Sequence, residues 1–192
     1  MPDAQNAALD FLLTRRSRPA KILGPPVPTH EELLPILTAA LRSPDHGRLE
    51  PRRLMVLERA ALLRLAELVR ARGGSLGRDE DDIEKACRQF AESHMAVAVI
   101  EVQKPSDSIP PIEQSYSAGA VCLGLLNAAL ASGWGANWLT GWPAHDRGFV
   151  EAGLDLASHE RVAGFIHLGT ARAVPPERPR PDTEAVVTWV SE

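Results

Sequence analysis

The sequence predicts an α+β protein in which a short sheet packs between helices around one buried central helix. Three β-prone segments, residues 52–58, 95–102 and 161–170, mix with helical segments without a regular βαβ alternation. The stretch from Ser115 to Ser132 carries no charge and is small or apolar on every side, as expected of a helix buried all round. Gly133 follows it, at the usual place for a glycine that ends a helix.

Length and composition restrict the class of protein. The 192 residues predict a single domain over 1–192, either alone or as one subunit of an intertwined dimer. A net charge of −4 argues against a general nucleic-acid-binding surface. Cys87 and Cys122 show no pairing pattern, which favours reduced thiols in a cytoplasmic protein. The uncharged stretch is too short for a membrane span, and the N-terminus lacks the charge order of a secretory signal.

The first predicted element is an amphipathic helix over residues 4–16, and a basic cluster closes it. Arg15, Arg16, Arg18 and Lys21 surround the hydroxyl of Ser17. Cations complement the C-terminal end of a helix dipole, so capping is one explanation of the cluster. The cluster is nevertheless larger than a cap requires, and arginine pairs well with phosphate oxygens. Anion binding is therefore the second explanation.

The second predicted helix starts at Thr29, which forms a capping box with Glu32. It ends at Ser43-Pro44, and the polar, turn-like loop 45–48 follows. An Asp-His pair in that loop suggests a metal ligand or a base. No second set of ligands accompanies it in the sequence, so we expect a hydrogen-bonded surface loop and no metal site.

The remaining elements follow from local patterns along the chain. In order, we expect a strand over 52–58, a helix over 62–71, a flexible break over 73–77, a helix opening at Asp79, a strand over 95–102, the central helix, a glycine-rich strand over 134–141, a short helix over 145–153 and a strand over 161–170. The C-terminal extension, residues 173–192, opens with prolines and ends apolar and β-prone. We expect it to pack on another subunit.

Several standard catalytic motifs are missing from the sequence. It contains no G-x-S-x-G, no Walker A motif and no G-x-G-x-x-G. Gly133-Trp134-Gly135 follows a helix and not a strand, so it is a poor dinucleotide-binding signal. The sequence therefore does not predict a serine hydrolase, a P-loop NTPase or a Rossmann enzyme.

Four segments in a fixed order carry a family resemblance. They are Arg15 to Ser17, Ser43 to Gly47, Gly133 to Gly141 and Gly164 to Thr170. Together they resemble the FMN-dependent nitroreductase family, in particular its small YdjA-like branch, over residues 4 to about 190. The resemblance implies a nitroreductase-like fold with an antiparallel sheet. It also implies an intertwined homodimer in which two FMN molecules lie at the interface, each held by both subunits.

The resemblance also implies which residues bind the phosphate end of FMN. Carried over by position, Arg15 and Ser17 contact the phosphate and the ribityl chain, with Arg16 beside them. Arg172 falls where the family often places a second phosphate-binding cation. The basic cluster on its own already suggested an anion, so the two arguments agree.

Two further segments are implied at the flavin ring. Asp45, His46 and Arg48 match the loop that the partner subunit offers to the flavin. The segment along the ring, where backbone N–H groups can reach its N5 edge, is Asn137, Trp138, Leu139 and Thr140. No protein acid or base is implied as a catalytic residue, since the cofactor carries the chemistry.

The implied activity is that of an NAD(P)H-dependent flavin oxidoreductase with a ping-pong mechanism. NADH or NADPH reduces FMN and leaves, and a nitroaromatic or quinone-like acceptor then takes its place. Two alternatives stay open from the residues alone. One is an FMN-binding dimer with little turnover, a flavin carrier or ligand-binding protein. The other is a structural helical dimer in which the arginines are only helix caps.

Three positions depart from the family pattern. Pro51 is followed by Arg52, where the family often has Pro-Trp. Leu139 stands where arginine is common in this branch, which removes a cation from near the flavin. The segment after Ser17 carries one extra residue, so the sequence leaves open whether Arg18 or Lys21 approaches the pyrimidine end of FMN.

Overall fold

The computed structural model describes residues 6–191 of the chain. The start of the predicted first helix, residues 4 and 5, lies outside the described residues. The helices are α1 (Asn6–Thr14), α2 (His30–Ala40), α3 (Arg59–Ser75), α4 (Glu80–Ala91), α5 (Pro111–Ala131), α6 (Arg147–Leu154) and α7 (Thr183–Val186). The strands are β1 (Leu23–Gly24), β2 (Arg52–Glu58), β3 (Met95–Val102), β4 (Gly135–Leu139) and β5 (Glu160–Ala171).

Most of the predicted elements are confirmed, with several boundaries shifted by up to four residues, and the predicted flexible break is wrong. Strands β2 and β3 have the predicted bounds, and Thr29 and Glu32 form the predicted capping box at the start of α2. The predicted break at residues 73–77 is instead the last turns of α3 and the short link after it. Gly73 lies within α3, and a side chain at this position would collide with Ile83 of α4. Its glycine serves close helix packing and not chain flexibility.

The five strands form an antiparallel sheet. Its main path runs β1–β5–β3–β2, and β4 pairs with β5. The central strands β3 and β5 are in register at Ala98 and Phe165, and the register shifts between Val99 and Ile100. Because β4 pairs with β5 only, one edge of β4 is open within the sheet. This architecture confirms the predicted α+β class.

Helices cover both faces of the sheet. On β3, Ala96, Ala98 and Ile100 face a core built with α3, α4 and α6, while Val97 and Val99 face a second core built with α2 and α5. A strand buried on both faces reads as an unbroken apolar run, which is the pattern of MAVAVIEV. Among the helices in residues 6–191, none is long and apolar enough to cross a membrane.

The central helix α5 is buried where it packs against the sheet and against α2, and part of its remaining surface is exposed. Val121 and Leu125 are fully buried there. On the opposite side, Tyr116 is 68% exposed, Leu123 is 45% exposed, and a side chain at Gly119 would meet nothing within 4 Å. The single chain therefore covers one face of a helix that is apolar all round, and a second surface is needed to cover the other face.

Candidate functional site

A cleft of about 520 Å³ opens where the chain leaves α1. Its cationic wall is formed by Arg15, Arg16 and Arg18, and its facing wall includes Trp134, with the start of the C-terminal extension alongside. Ser17 is half-buried between the arginines. The structure thus brings the predicted phosphate-binding segment to the residues that follow α5.

Two buried N–H donors in this cleft have no hydrogen-bond acceptor. Among the described residues, none accepts from Arg15 Nη1 or from Arg16 Nε. Arg16 Nη2 donates to Pro176 O at 2.9 Å, but Nε lies 3.8 Å from the nearest oxygen of Glu177, too far for a hydrogen bond. Buried donors without acceptors are costly. An anion with several acceptor oxygens would satisfy them, so these residues fit a phosphate group.

The arginine segment is held against the open edge of β4. The backbone N–H of Arg18 donates to Ala136 O at 2.8 Å, and Asn137 Nδ2 donates to Arg18 O at 2.9 Å. Asn137 therefore has a structural role that the sequence did not predict. Peptide groups alternate between the two edges of a strand. The carbonyl of Ala136 points toward Arg18, so the backbone N–H of Trp138, two residues further along the strand, points to the same open edge.

A second cavity, of about 740 Å³, lies between β4 and α4. Its walls comprise Pro19, Ala20 and Lys21, then Lys85, Arg88, Gln89, Glu92 and Ser93, and finally Asn137, Trp138, Leu139, Thr140 and Gly141. The residues predicted to run along the flavin ring thus line one continuous cavity. Lys21 lines it, whereas Arg18 lines the arginine cleft, so the two cations serve different spaces.

Sequence reasoning missed the two cations of α4. Lys85 and Arg88 are both exposed and line the second cavity, while Ala86, Cys87 and Phe90 of the same helix are buried. The exposed face of an amphipathic helix is normally charged, so the sequence offered no reason to single them out. Within residues 6–191, neither cation lies in a salt bridge.

The loop after α2 is built around a buried ion pair. Arg52 Nη1 donates to Asp45 Oδ2 at 2.8 Å, and the two side chains are only 8% and 10% exposed. Burial alone would raise the pKa of the Asp45 carboxyl, but the hydrogen bond from Arg52 and those from the backbone outweigh it, so its pKa lies below the ordinary value. Asp45 is thus held within its own chain.

The same loop has an unusual backbone. Gly47, Arg48 and Glu50 have φ values of 71°, 56° and 48°. The left-handed region costs a non-glycine residue about 1–2 kcal/mol. His46 Nδ1 donates to Glu113 Oε2 at 2.7 Å, yet His46 and Arg48 are both exposed. Strained backbone of this kind persists only where the surroundings fix it, and it concentrates at functional sites.

A model of the nitroreductase family matches residues 12–170. The chain belongs to the nitroreductase family. It is 30% identical over 163 residues to YdjA of Escherichia coli strain K12, which is named as a candidate NAD(P)H nitroreductase, and the match covers 85% of this chain and 87% of that protein. A similarly named protein of Haemophilus influenzae is 33% identical over 164 residues, with 85% and 88% covered.

Solved structures confirm the nitroreductase-like fold. A nitroreductase-like protein of Bacillus cereus superposes with a TM-score of 0.76 at 20% identity, covering 99% of this chain and 98% of that one. A candidate nitroreductase from Desulfovibrio desulfuricans, solved in complex with FMN, superposes with a TM-score of 0.75 at 18% identity, covering 98% of this chain and 100% of that one. At such identities the likeness establishes the fold.

All the predicted site residues of this family member except Arg172 fall into two groups at opposite ends of α5. The loop 45–48 contacts the N-terminal part of the helix through the His46–Glu113 pair, and Ser117 Oγ donates to Pro44 O just before the loop. The arginine cleft lies at the other end, beside Leu130 and Gly133. Ser117 and Leu130 are separated by about 20 Å at the helical rise per residue. One chain therefore does not bring both groups together.

Arg172 stands apart from both groups. Its backbone N–H donates to Ile22 O at 2.9 Å, and its guanidinium packs where a side chain on Gly24 would otherwise lie. It lines neither the arginine cleft nor the second cavity. The pKa of His94 is lowered chiefly by burial and further by the charges of Arg59 and Arg172. A phosphate-binding role for Arg172 stays a prediction.

Among the described residues there is no group of three or more histidine, cysteine, aspartate or glutamate side chains that could hold an ion. The Asp45-His46 pair is divided between two different partners, Arg52 and Glu113. Their hydrogen bonds account for the pair without a metal.

Proposed function

We propose that this member of the nitroreductase family is an FMN-dependent NAD(P)H oxidoreductase that uses FMN and NADH or NADPH in a ping-pong reaction with nitroaromatic or quinone-like acceptors. The observation that carries the proposal is the pair of buried arginine donors without acceptors, next to a cavity lined by an open strand edge. When bound, FMN supplies the electron-transfer chemistry. The protein binds it, orients it and sets its electrostatic surroundings.

The arginine cleft binds the phosphate in this proposal. Arg15 and Arg16 satisfy their free N–H groups on phosphate oxygens, and Ser17 adds a neutral donor between them. A phosphate dianion also balances the positive charge that three neighbouring arginines create. Glu177 is 3.8 Å from Arg16 Nε and 65% exposed, so it neutralises that cluster only weakly.

The second cavity holds the flavin ring and the substrates. Its volume of about 740 Å³ lies within the usual range for cofactor and substrate sites. The N–H of Trp138 on the open edge of β4 is a donor to the ring, and Leu139 gives the cavity an apolar wall. Lys21, Lys85 and Arg88 stabilise the negative charge that a flavin gains on reduction, as fixed charges do for any developing charge.

The proposed active form is a homodimer. The exposed apolar stripe of α5, with Tyr116, Leu123 and the open notch at Gly119, is a surface for a second copy. If two copies of α5 pack antiparallel about a two-fold axis, the N-terminal end of one lies beside the C-terminal end of the other. That arrangement puts the loop 45–48 of one protomer next to the arginine cleft of its partner.

The C-terminal extension, residues 173–192, belongs to the same interface in this proposal. Val174, Val186, Trp189 and Val190 are exposed, and Trp189 is 91% exposed. Apolar side chains exposed at this density are typical of a segment whose packing surface lies on another subunit. We therefore expect the extension to pack on the partner protomer.

The test is the visible spectrum of the purified protein before and after NADPH is added without oxygen. The proposal predicts a flavin spectrum that bleaches with NADPH and returns on addition of a nitroaromatic or a quinone. Steady-state rates at several fixed acceptor concentrations should give parallel double-reciprocal lines, the ping-pong pattern. The variant Arg15→Ala, purified in parallel, should lose its colour on dialysis.

Other outcomes separate the alternatives. A flavin spectrum that NADPH and NADH both leave unchanged would favour a flavin carrier over an oxidoreductase. A colourless protein that takes up no added FMN would contradict the proposal altogether.

A further inference from the structure

We propose that Arg52 is a positioning residue for FMN binding. It holds the loop 45–50 in its left-handed conformation, so that His46 and Arg48 contact the FMN bound by the partner protomer. This inference rests on the proposed function. It concerns a residue that departs from the family pattern, since Arg52 stands where the family often has tryptophan.

Arg52 connects three parts of the fold through its guanidinium. Nη1 donates to Asp45 Oδ2 at 2.8 Å and to Ser117 Oγ of α5 at 3.1 Å. Nη2 donates to Leu41 O at 3.3 Å and to Ser43 O at 3.1 Å, at the end of α2. The planar fork of arginine spreads five N–H donors over three nitrogens, whereas lysine donates from a single nitrogen and tryptophan has only one N–H.

The loop is closed by the same residue. The backbone N–H of Arg52 donates to Glu50 O at 2.7 Å, and the N–H of Glu50 lies 3.4 Å from Asp45 Oδ1. The Asp45 carboxylate, at the start of the turn, therefore accepts hydrogen bonds from two groups at its end, the backbone N–H of Glu50 and the guanidinium of Arg52. Arg48 and Glu50, both with positive φ, lie between these anchors. Without Arg52, Asp45 is a buried charge with no cation, and the turn loses the contacts that hold it.

These contacts also decide which side chains the loop can offer to a ligand. Asp45 is fully engaged by Arg52 and by the backbone. His46 uses Nδ1 on Glu113, which leaves Nε2 for a further contact, and Arg48 is exposed. Asp45 thus acts through the loop conformation, while His46 and Arg48 are the contacting residues.

The first test compares Arg52→Met with Arg53→Met. Arg53 is the next residue on β2 and makes a bidentate ion pair with Glu160, at 2.6 and 2.9 Å, so its loss also removes a structural ion pair. Both variants should melt earlier. At a temperature where circular dichroism shows both folded, only Arg52→Met should weaken FMN binding, by about tenfold, as expected of a residue that supports ligand contacts.

Amide hydrogen exchange in FMN-free protein gives a second readout. Arg52→Met should speed exchange at residues 46–50, while Arg53→Met leaves those amides unchanged. Arg52→Lys keeps a charge beside Asp45 but cannot contact both Ser117 of α5 and the carbonyls that follow α2. Its FMN affinity should therefore lie between that of Arg52→Met and that of the wild type. Equal FMN affinity in Arg52→Met and Arg53→Met would overturn the inference and leave the proposed function standing.

A heterodimer separates action within a chain from action across the dimer. Arg15→Ala and Arg52→Met chains, carrying different affinity tags, are co-expressed and the mixed dimer is isolated. Across the dimer, one site combines an intact cleft with an intact loop and the other site carries both changes. The inference predicts one tightly bound FMN per mixed dimer, against none for the Arg15→Ala homodimer.

Two results of this experiment have different consequences. A mixed dimer in which both sites bind FMN weakly would show that Arg52 supports the cleft of its own chain, which contradicts the inference. An Arg15→Ala homodimer that binds FMN as well as the wild type would overturn the proposed cleft itself, whatever Arg52 does.

Discussion

The two ends of α5 carry the two groups of site residues, and they differ in how completely their charges are satisfied. At the N-terminal end, Asp45 and Arg52 form a buried ion pair, in which Asp45 also accepts from the N–H of Glu50 and Arg52 also donates to Ser117 Oγ. At the C-terminal end, none of the residues 6–191 accepts a hydrogen bond from Arg15 Nη1 or Arg16 Nε. We therefore propose that the first end is complete within the chain, whereas an anion completes the second.

This difference distinguishes residues that fix the geometry of the loop from residues that are free to bind a ligand. A satisfied cluster fixes geometry, because each partner limits where the others can go. An unsatisfied cluster stores binding energy, because the free protein bears a cost that a ligand removes. Our proposal therefore assigns Asp45 to the support of the loop, and Arg15 and Arg16 to the binding of the phosphate.

The largest expected effect concerns the unsatisfied end. Arg15→Ala should weaken FMN binding by about 1.5–3 kcal/mol, roughly ten- to a hundredfold, the usual worth of a charged hydrogen bond. The FMN-free protein should lose no stability, since the change removes a buried donor without an acceptor. Fluorescence titration with FMN and thermal melts with and without FMN measure both effects.

The control for this variant is Arg70→Ala. Arg70 pairs with Glu67 on the surface and lines neither the arginine cleft nor the second cavity. It should leave FMN affinity unchanged. A clear destabilisation of FMN-free protein by Arg15→Ala would show that the cleft is already satisfied, and the contrast between the two ends would fail.

A second prediction addresses the helix that joins the two ends. Leu123→Glu places a charge on the exposed stripe of α5 and should weaken dimerisation by about 2 kcal/mol or more, as for a central interface residue. FMN affinity should fall with it. Leu63→Glu on α3 is a matched control, because Leu63 and Leu123 are both 45% exposed. Size-exclusion chromatography at several dilutions measures the dimer. Equal behaviour of the two variants would remove α5 from the interface.

A third prediction concerns His167, which has an unpartnered buried nitrogen but lines neither the arginine cleft nor the second cavity. We expect it to affect the pH dependence of stability and not FMN binding. His167 is fully buried on β5; its Nδ1 donates to Ser93 Oγ at 2.9 Å, while Nε2 has no partner among the described residues. Burial lowers its pKa to about 4, from 6.5. His167 in the unfolded chain therefore binds a proton below about pH 6.5, whereas His167 in the folded chain stays neutral down to about pH 4. Stability should fall by about 2 kcal/mol between pH 7 and pH 5.

The variant His167→Gln isolates this contribution. Its free energy of unfolding, measured with urea, should vary less between pH 7 and pH 5 than that of the wild type. Hydrogen-bonded carboxyls such as Glu160, whose pKa is about 2, lose their contribution only as the pH falls below about 4.5, so they do not interfere in this window. Identical pH profiles for the two proteins would contradict a neutral, buried His167.

The smallest expected effect concerns the second cavity. Arg88→Ala should lower the affinity for reduced FMN relative to oxidised FMN by about 1 kcal/mol, the size of a partly screened charge interaction. The midpoint potential of bound FMN should become more negative accordingly. Lys104→Ala removes an exposed lysine that lines neither cavity and should leave the potential unchanged. A potential that does not move in Arg88→Ala would exclude α4 from the flavin environment.

Much of the fold was predictable because local patterns agreed with it. The apolar run of β3 and the capping box of Thr29 and Glu32 each specify their element without tertiary information. The glycines at 73 and 74 misled the prediction, since a glycine chosen for close packing against Ile83 looks the same in sequence as one chosen for flexibility.

The site was predictable in part, for a similar reason. Arg15, Arg16 and Ser17 form a compact cluster that attracts attention as a sequence pattern. Lys85 and Arg88 become site residues only because α4 packs beside β4, and an exposed cationic helix face is otherwise unremarkable. Nothing in the sequence indicates that Arg52 pairs with Asp45, because that contact depends on how the loop turns back on itself.

The central claim is that the satisfied end of one chain completes the unsatisfied end of another. Sedimentation velocity that records flavin absorbance over a dilution series tests it most directly. The account predicts that flavin absorbance sediments with the dimer at every concentration, and that FMN lowers the dissociation constant of the dimer, since binding and assembly are linked. Flavin absorbance that moves with the monomer on dilution, at unchanged FMN affinity, would contradict it.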